Sequence, residues 1–248
     1  MSNVKFDFTG ENFVVTGASS GMGRQVALEL AQSGAKVLAI ARREEKLHEL
    51  QASFKDNIFI APLDVCHSGQ MECAIQDFVA TNGKLQGGVH AAGIAGITPI
   101  KSYDKAEARK IIDVNFWSGM DFIQEIAKKK ISNETASFVL FSSVDAISSA
   151  KGMFAYSGAK AAIISAMRSI SKEISKRGQR INAILPGWVE SGMTEELGRV
   201  SNKSEIIAHE LLGVGSPKDV SGMVLFLLSN RARWITGTSI AVDGGFLA

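Results

Sequence analysis

The chain predicts a single α/β domain, built on one doubly wound parallel sheet of about seven strands with helices on both faces. Three observations predict it. Short β-branched or apolar runs alternate with longer amphipathic runs along the whole length. A glycine-rich turn, Thr16 to Gly23, joins the first apolar run to the first amphipathic one. The 248 residues are 46% hydrophobic with four prolines, enough for one large core, and no repeat, low-complexity segment or linker divides them. Strand–helix–strand units cross over right-handed, so the strands run parallel and are buried on both faces.

The elements follow in order. Phe13-Val14-Val15 is a first strand ending at Thr16-Gly17. Gly21 to Ser33 has helical periodicity, with Met22, Val26, Leu28 and Leu30 spaced for one face and Gly34 as its C-terminal stop. Val37 to Ile40 is a strand, Arg43 to Phe54 a charged helix, and Ile58 to Ala61 a third strand. Ser68 suits the N-cap of a helix reaching about Ala80. A weaker strand, Gly88 to His90, precedes one long helix from Tyr103 to Lys130, whose final three lysines suit its C-terminal end. Phe138 to Phe141 is the fifth strand, Ala155 to Arg177 a small-residue helix, and Ile181 to Leu185 the sixth strand. A helix from Val220 to Leu228 and a strand from Ser239 to Val242 close the chain. The irregular stretch between the sixth strand and the last helix, at about 188–215, is expected to be a mobile loop over the site.

Composition narrows the function. A net charge of +2 without a basic, aromatic-laced cluster gives no reason to expect nucleic acid. Cys66 and Cys73 form no disulfide framework, and with His67 alone beside them they make no zinc site. The first residues lack a signal-peptide core, and no apolar run has the length of a membrane span, so a soluble cytoplasmic protein is expected.

Chemistry concentrates between Phe141 and Ala162. Ser143 is followed by Tyr156 and Lys160, the last two at i and i+4, one turn apart on a helix face. A lysine ammonium held nearby favours a phenolate, and a tyrosine so tuned can exchange a proton with a carbonyl or alcohol oxygen. A serine hydroxyl can hold the same oxygen. The turn Gly17-Ala18-Ser19-Ser20-Gly21-Met22-Gly23 lets the backbone approach a pyrophosphate at a helix N-terminus. The second strand ends in Ala41-Arg42-Arg43, with no acid to bind a ribose 2′-hydroxyl. Arg42 suits a 2′-phosphate, with Arg24 adding charge, so NADP (as NADPH) is expected over NAD.

With these pieces in place, the chain resembles the short-chain dehydrogenase/reductase family over essentially its full length. The resemblance rests on the Thr16–Gly23 turn, Asp64-Val65, His90-Ala91-Ala92-Gly93, Asn115, Ser143, Tyr156-x-x-x-Lys160 and Pro186-Gly187. It implies one Rossmann-type domain over 1–248 and a catalytic tetrad of Asn115, Ser143, Tyr156 and Lys160. Tyr156 would be the acid in reduction and the base in oxidation. Lys160 would bind the nicotinamide ribose and lower the Tyr156 pKa. Ser143 would hold the substrate oxygen, and Asn115 a water leading from Lys160. The cofactor would meet Gly17, Ser19, Ser20, Gly21, Met22, Gly23, Arg42, Arg43, Asp64, Val65, Ala91, Ala92 and Gly93. At its nicotinamide end it would meet Tyr156, Lys160, Pro186, Gly187, Val189 and Ser191. His90 stands where the family has asparagine and reads as a packed strand-end residue.

Within the family the chain looks most like bacterial 3-oxoacyl-acyl-carrier-protein reductases, which implies a carbonyl substrate borne on acyl-carrier protein. Arg177 would be a docking base near the cleft, while Glu134 is acidic where such reductases carry a base. The resemblance leaves steroids, sugars, polyols and small ketones open as substrates, and a non-catalytic dinucleotide sensor as the reading of another class. The substrate pocket is expected from Ser143, Asp145, Met153, Phe154, Tyr156, Trp188, Met193 and Leu197. A homotetramer is implied, paired through the helices from Tyr103 and Ala155.

Overall fold

The structure, a computed structural model, describes residues 4–190 and 210–248. Seven strands form one sheet in the order β3-β2-β1-β4-β5-β6-β7, all parallel. They are β1 (Asn12–Thr16), β2 (Lys36–Ala41), β3 (Ile58–Pro62), β4 (Leu85–His90), β5 (Ser132–Phe141), β6 (Arg180–Pro186) and β7 (Ser239–Val242). Strand order reverses between β1 and β4, and the crevice at their carboxyl ends is where such a sheet binds ligands.

Side-chain alternation along β1 sorts the core into two layers. Phe13 and Val15 point to one face, where they pack with α1 (Gly21–Gln32), α2 (Glu44–Ser53) and α7 (Pro217–Leu228). Val14 points to the other, against α3 (Ser68–Asn82), α5 (Ser118–Ile126) and α6 (Phe154–Ile174). On α1 the buried stripe is Gly23, Val26, Ala27, Leu30 and Ala31, while Met22 and Leu28 are only half-buried. Sealing Val26 and Leu30 contributes ~1.5–3 kcal/mol each. The helix ends at Ser33, and Gly34 follows in the left-handed region at φ +89°.

Several boundaries differ from expectation. The N-cap of α3 is His67, and Ser68 is the first helical residue. Arg43 is the N-cap of α2 rather than its first residue. The predicted helix from Tyr103 to Lys130 is three segments: α4 (Lys105–Ile112), a π-helical turn (Asp113–Trp117) and α5. The cause lies at Asn115. Its Nδ2 donates to Ile111 O at 2.8 Å, the carbonyl that a regular helix would offer to the Asn115 main-chain N–H. The same Nδ2 donates to Ile94 O at 2.7 Å, fastening the turn to the loop after β4. Lys128 lies beyond α5 and pairs with Glu125 and Glu72.

Helix α7 starts three residues earlier than the apolar run suggests. Pro217 takes its first position, and the Asp219 carboxylate accepts from Ser216 N–H at 2.6 Å and Ser216 Oγ at 2.7 Å. Part of the expected loop at 188–215 lies outside the described residues. Its described ends are ordered against each other, with Gly215 N–H donating to Trp188 O at 3.0 Å and Glu190 N–H to Gly215 O at 2.9 Å. No described helix is long and apolar enough to cross a membrane.

Candidate active site

The glycine turn lies at the carboxyl end of β1 and leads into α1. Gly17 has φ +69°, and a Cβ there would come within 2.7 Å of Ala91 C and Ala92 N. At Gly23 a Cβ would fall 2.5 Å from Gly17 O. Both positions therefore demand glycine if the turn is to fold back against the loop after β4. The result is a cavity of about 320 Å³. Gly17, Ser19, Ser20, Gly21, Met22 and Gly23 form one wall, Arg42, Arg43, Asp64 and Val65 a second, and Ala91, Ala92 and Gly93 a third. Thirteen of the predicted cofactor residues thus meet around one space, while Arg24 is not among its lining.

The first turn of α1 contains no acid, so the amide-rich end of the helix opens on this cavity with no negative charge from its own residues. Arg43 reaches back over it. Its Nη2 donates to Ser20 Oγ at 2.6 Å and Ser19 Oγ at 3.0 Å, and its Nε to Ser19 Oγ at 3.3 Å. The reading that favoured Arg42 is therefore refined: both line the cavity, and Arg43 is the one held beside the turn. Asp64 Oδ1 accepts from Cys66 N–H at 3.0 Å, which fixes the loop after β3. The open glycine wall, the bare helix end and the fixed guanidinium fit a dinucleotide phosphate.

At the carboxyl ends of β4 and β5, α6 delivers Tyr156 and Lys160 from its first two turns. Lys160 is 4% exposed, and its Nζ donates to Phe141 O at 2.8 Å while lying 5.6 Å from the Tyr156 ring centre. Burial lowers the Lys160 pKa to about 7. Ser142 Oγ donates to Lys160 O at 2.8 Å and ties the helix to the end of β5. Tyr156 goes the opposite way from expectation. Burial, with the nearby charge of Asp145 adding to it, raises the phenol to about 12, and a hydrogen bond with Ser143 offsets part of this. The expected lowering by Lys160 is absent because that ammonium is itself desolvated and engaged with Phe141 O.

Asn115 is fully buried, with both Nδ2 bonds spent on Ile94 and Ile111 and with Oδ1 unpartnered. That oxygen faces the space beside Lys160: a Cβ on Gly93 would lie 2.7 Å from it and 3.4 Å from Lys160 Nζ. Ser143 caps the 3₁₀ turn Val144–Ala146, accepting from Asp145 N–H at 3.1 Å and donating to Asp145 Oδ2 at 3.3 Å. Met153 packs with Tyr156, Ala155, Ala108 and Ile111. Gly187, Trp188 and Val189 line a second cavity of about 320 Å³ with Glu210 and residues 212–215 and 242–244, apart from the first. Pro186 ends β6 beside Val242 of β7. Ser191, Met193 and Leu197 lie outside the described residues.

One expectation is corrected and another extended. Arg177 is not near the cleft: it follows the far end of α6, ~26 Å along the axis from Lys160 at 1.5 Å per residue. Its guanidinium caps chain ends there, donating to Ala127 O at 2.7 Å and Ser132 O at 3.3 Å. His90 is indeed packed, at 1% exposure, but it is also wired. Ser118 Oγ donates to Val114 O at 2.6 Å, so its oxygen accepts from His90 Nε2 at 3.1 Å. Nδ1 is then the acceptor for Thr16 Oγ1 at 2.9 Å, and Thr16 Oγ1 receives the Ala92 N–H at 3.3 Å. Burial, and then the Lys160 charge, lower His90 to about 3, so the ring stays neutral. This directed chain joins the glycine turn to the π-helical turn that carries Asn115. Sequence reasoning missed Thr16 and Ser118; the only signal was their hydroxyls at a strand end and one turn beyond Asn115. Among the described residues no group of three His, Cys, Asp or Glu could hold a metal ion.

Comparison with known proteins agrees with this geometry. A family model described as enoyl-(acyl carrier protein) reductase matches residues 17–247. A 3-oxoacyl-(acyl-carrier-protein) reductase FabG from Rickettsia prowazekii is 34% identical over 242 residues, covering 97% of this chain and 98% of that protein. A short-chain dehydrogenase/reductase, aba4, from Botryotinia fuckeliana is 31% identical, covering 96% of this chain and 97% of that protein. Among solved structures, a short-chain type dehydrogenase/reductase from Mycobacterium ulcerans superposes with a TM-score of 0.91 at 30% identity, covering 98% of this chain and 91% of that one. One from Brucella melitensis, titled a glucose/ribitol dehydrogenase, also reaches a TM-score of 0.91 at 26% identity, covering 98% of this chain and 99% of that one. The chain belongs to the short-chain dehydrogenase/reductase family, as a nicotinamide-dinucleotide oxidoreductase acting on CH–OH and C=O groups.

Proposed function

We propose that the protein reduces a carbonyl to an alcohol with NADPH, and that its substrate is a 3-oxoacyl group carried as a thioester on acyl-carrier protein. The observation that carries the reductive, NADPH-linked reading is the pair of arginines at the end of β2, with Arg43 fixed over Ser19 and Ser20. A 2′-phosphate would meet Arg42, Arg43 and the serine hydroxyls at the end of β2, where that strand offers a 2′-hydroxyl no carboxylate of its own. The likeness to 3-oxoacyl-(acyl-carrier-protein) reductases from Rickettsia and Chlamydia supports the thioester.

Bound NADPH supplies the hydride. The chain's own residues do the rest. Ser143 and Tyr156 hold the substrate oxygen, and Tyr156, protonated at neutral pH, gives its proton to the oxygen as the alcohol forms. Lys160, anchored on Phe141 O, binds the ribose side of the cofactor. Asn115 Oδ1 faces the space beside Lys160 and offers an acceptor on the path by which the phenol regains its proton. Acyl-carrier docking cannot rest on Arg177, whose guanidinium is engaged with Ala127 O and Ser132 O at the end of α6 remote from Tyr156. The homotetramer is retained in the proposal, supported by Trp117 at 56% and Phe154 at 42% exposure on the helical segments expected to pair.

NADPH oxidation is to be measured with an acetoacetyl thioester, a small ketone, a sugar and a 2-enoyl thioester. Fastest turnover of the acetoacetyl thioester supports the proposal. Faster turnover of the sugar or the enoyl thioester would displace it.

A further inference from the structure

Beside Ser143 stands a carboxylate that the proton transfer does not use. Asp145 lies on the 3₁₀ turn at the mouth of the site. Its Oδ2 accepts from Ser143 Oγ at 3.3 Å and its Oδ1 from Ala150 N–H at 3.2 Å. Burial raises its pKa, and the bonds from Ala150 and Ser143 favour its charged form. Among the described residues no lysine or arginine is in ion-pair contact with it. Its charge is also felt at Tyr156. Ile94, Ala95, Tyr103, Ala108 and Ile111 pack around that phenol from the other elements, and the charge facing it from its own helix is Lys160, whose Nζ lies 5.6 Å from the ring centre.

Geometry sets the range of its effect. A substrate oxygen held by Ser143 is one hydrogen bond from Oγ, and Oγ is one hydrogen bond from Oδ2. The oxygen is therefore within ~6 Å of the carboxylate, and a substituent on the adjoining carbon can come as close. At that separation in a half-buried site, two negative charges disfavour binding by on the order of ten- to a hundred-fold.

We propose that Asp145 is a specificity-determining residue, which excludes carbonyl substrates bearing an anionic group next to the reacting carbonyl and admits neutral ones such as esters, thioesters and amides. The inference rests on the reading of Ser143 and Tyr156 as the groups that hold the substrate oxygen. The site would then distinguish a 3-oxoacyl ester from the free 3-oxo acid by charge rather than by shape. Neither the catalytic bond to Ser143 nor the dinucleotide cavity would be altered by the discrimination.

The test compares kcat/KM for ethyl acetoacetate, acetoacetamide and acetoacetate with NADPH. Acetoacetamide has nearly the shape of acetoacetate but no charge. The wild type is expected to use the ester and the amide at least ten-fold better than the acid, and Asp145→Asn to narrow that gap about ten-fold. Asp145→Leu, which removes the charge and the hydrogen bonds together, should narrow it as well. Equal use of amide and acid by the wild type would overturn the inference alone, whether or not either variant folds. So would an unchanged gap in an Asp145→Asn enzyme that still reduces the ester. Failure of the wild type to oxidise NADPH with any of the three would remove the reductase reading, and this inference with it.

Discussion

Arg43 Nη2 lies 2.6 Å from Ser20 Oγ, so the guanidinium is already positioned over the glycine turn before any phosphate arrives. Loss of this group should raise the KM for NADPH by about 10–100-fold, the value of a charge-assisted bidentate contact, and leave that for NADH nearly unchanged. Arg42→Ala should cost less, since the ordered bonds to Ser19 and Ser20 are those of Arg43. Initial rates with both cofactors check it, and equal losses for NADPH and NADH in Arg43→Ala would refute the 2′-phosphate role.

Tyr156→Phe removes the only phenol buried beside Ser143 and Lys160. The rate should drop about 10²–10⁴-fold at saturating NADPH, as expected for a lost general acid. Fluorescence titration should show cofactor affinity within a few-fold of the wild type. A variant that turns over normally would remove Tyr156 from the proton path.

The Asp145 charge adds to burial in raising the phenol. Neutralising it lowers the Tyr156 pKa, so the phenol deprotonates at lower pH. The alkaline limb of the reductive pH profile should therefore move to lower pH in Asp145→Asn, by up to about one unit. Profiles of kcat/KM from pH 6 to the limit of cofactor stability check the direction; movement to higher pH would contradict it.

Burial lowers Lys160 to a pKa of about 7 when folded, from its ordinary value of 10.5. Between those values the unfolded chain binds more protons, so this group makes stability rise with pH from about 7 upward and withholds it below. Lys160→Met should flatten that rise and be more stable at neutral pH by a few kcal/mol, though inactive. Denaturant titrations at pH 7 and 9 supply the comparison, and identical slopes against pH would exclude a buried, low-pKa lysine.

How much of this could be read from the chain varies with the kind of signal. Alternation at Phe13, Val14 and Val15 showed a doubly covered strand, because burial on both faces leaves only apolar residues. The polar start of β5, Ser132 to Thr135, was not legible, because it is set by pairing with β4 rather than by its own composition. The meeting of glycine turn, Arg43, Asp64 and Ala92 was legible because each follows a strand end in a parallel sheet. Arg43 over Arg42 was not, since neighbouring arginines differ only in the direction of their side chains. The pKa of Tyr156 was misjudged because burial, invisible in a Tyr-x-x-x-Lys spacing, raises it.

The His90 chain makes its own prediction. His90→Ala leaves the Thr16 hydroxyl without its acceptor, takes a donor from Ser118 Oγ and opens a void between turn and helix, at a cost of about 2–4 kcal/mol. His90→Asn keeps a donor and an acceptor and should cost less. Thermal melts check the order. A weaker grip on NADPH in His90→Ala, measured at a temperature where it remains folded, would show that the effect reaches the glycine turn.

The π-helical turn at Asp113–Trp117 also acts as a phase shifter. One extra residue in a turn rotates everything beyond it by about 100° relative to a straight helix. The apolar stripe of α4, which faces Tyr156, and that of α5, which faces the sheet, need not lie on one line, and the widened turn reconciles them. Substitutions in this segment are then local events, but removal of a single residue is not. It would straighten the rod, swing Phe122 and Ile126 out of the core, and move Asn115 off its carbonyls, so this stretch is constrained in length more tightly than in composition.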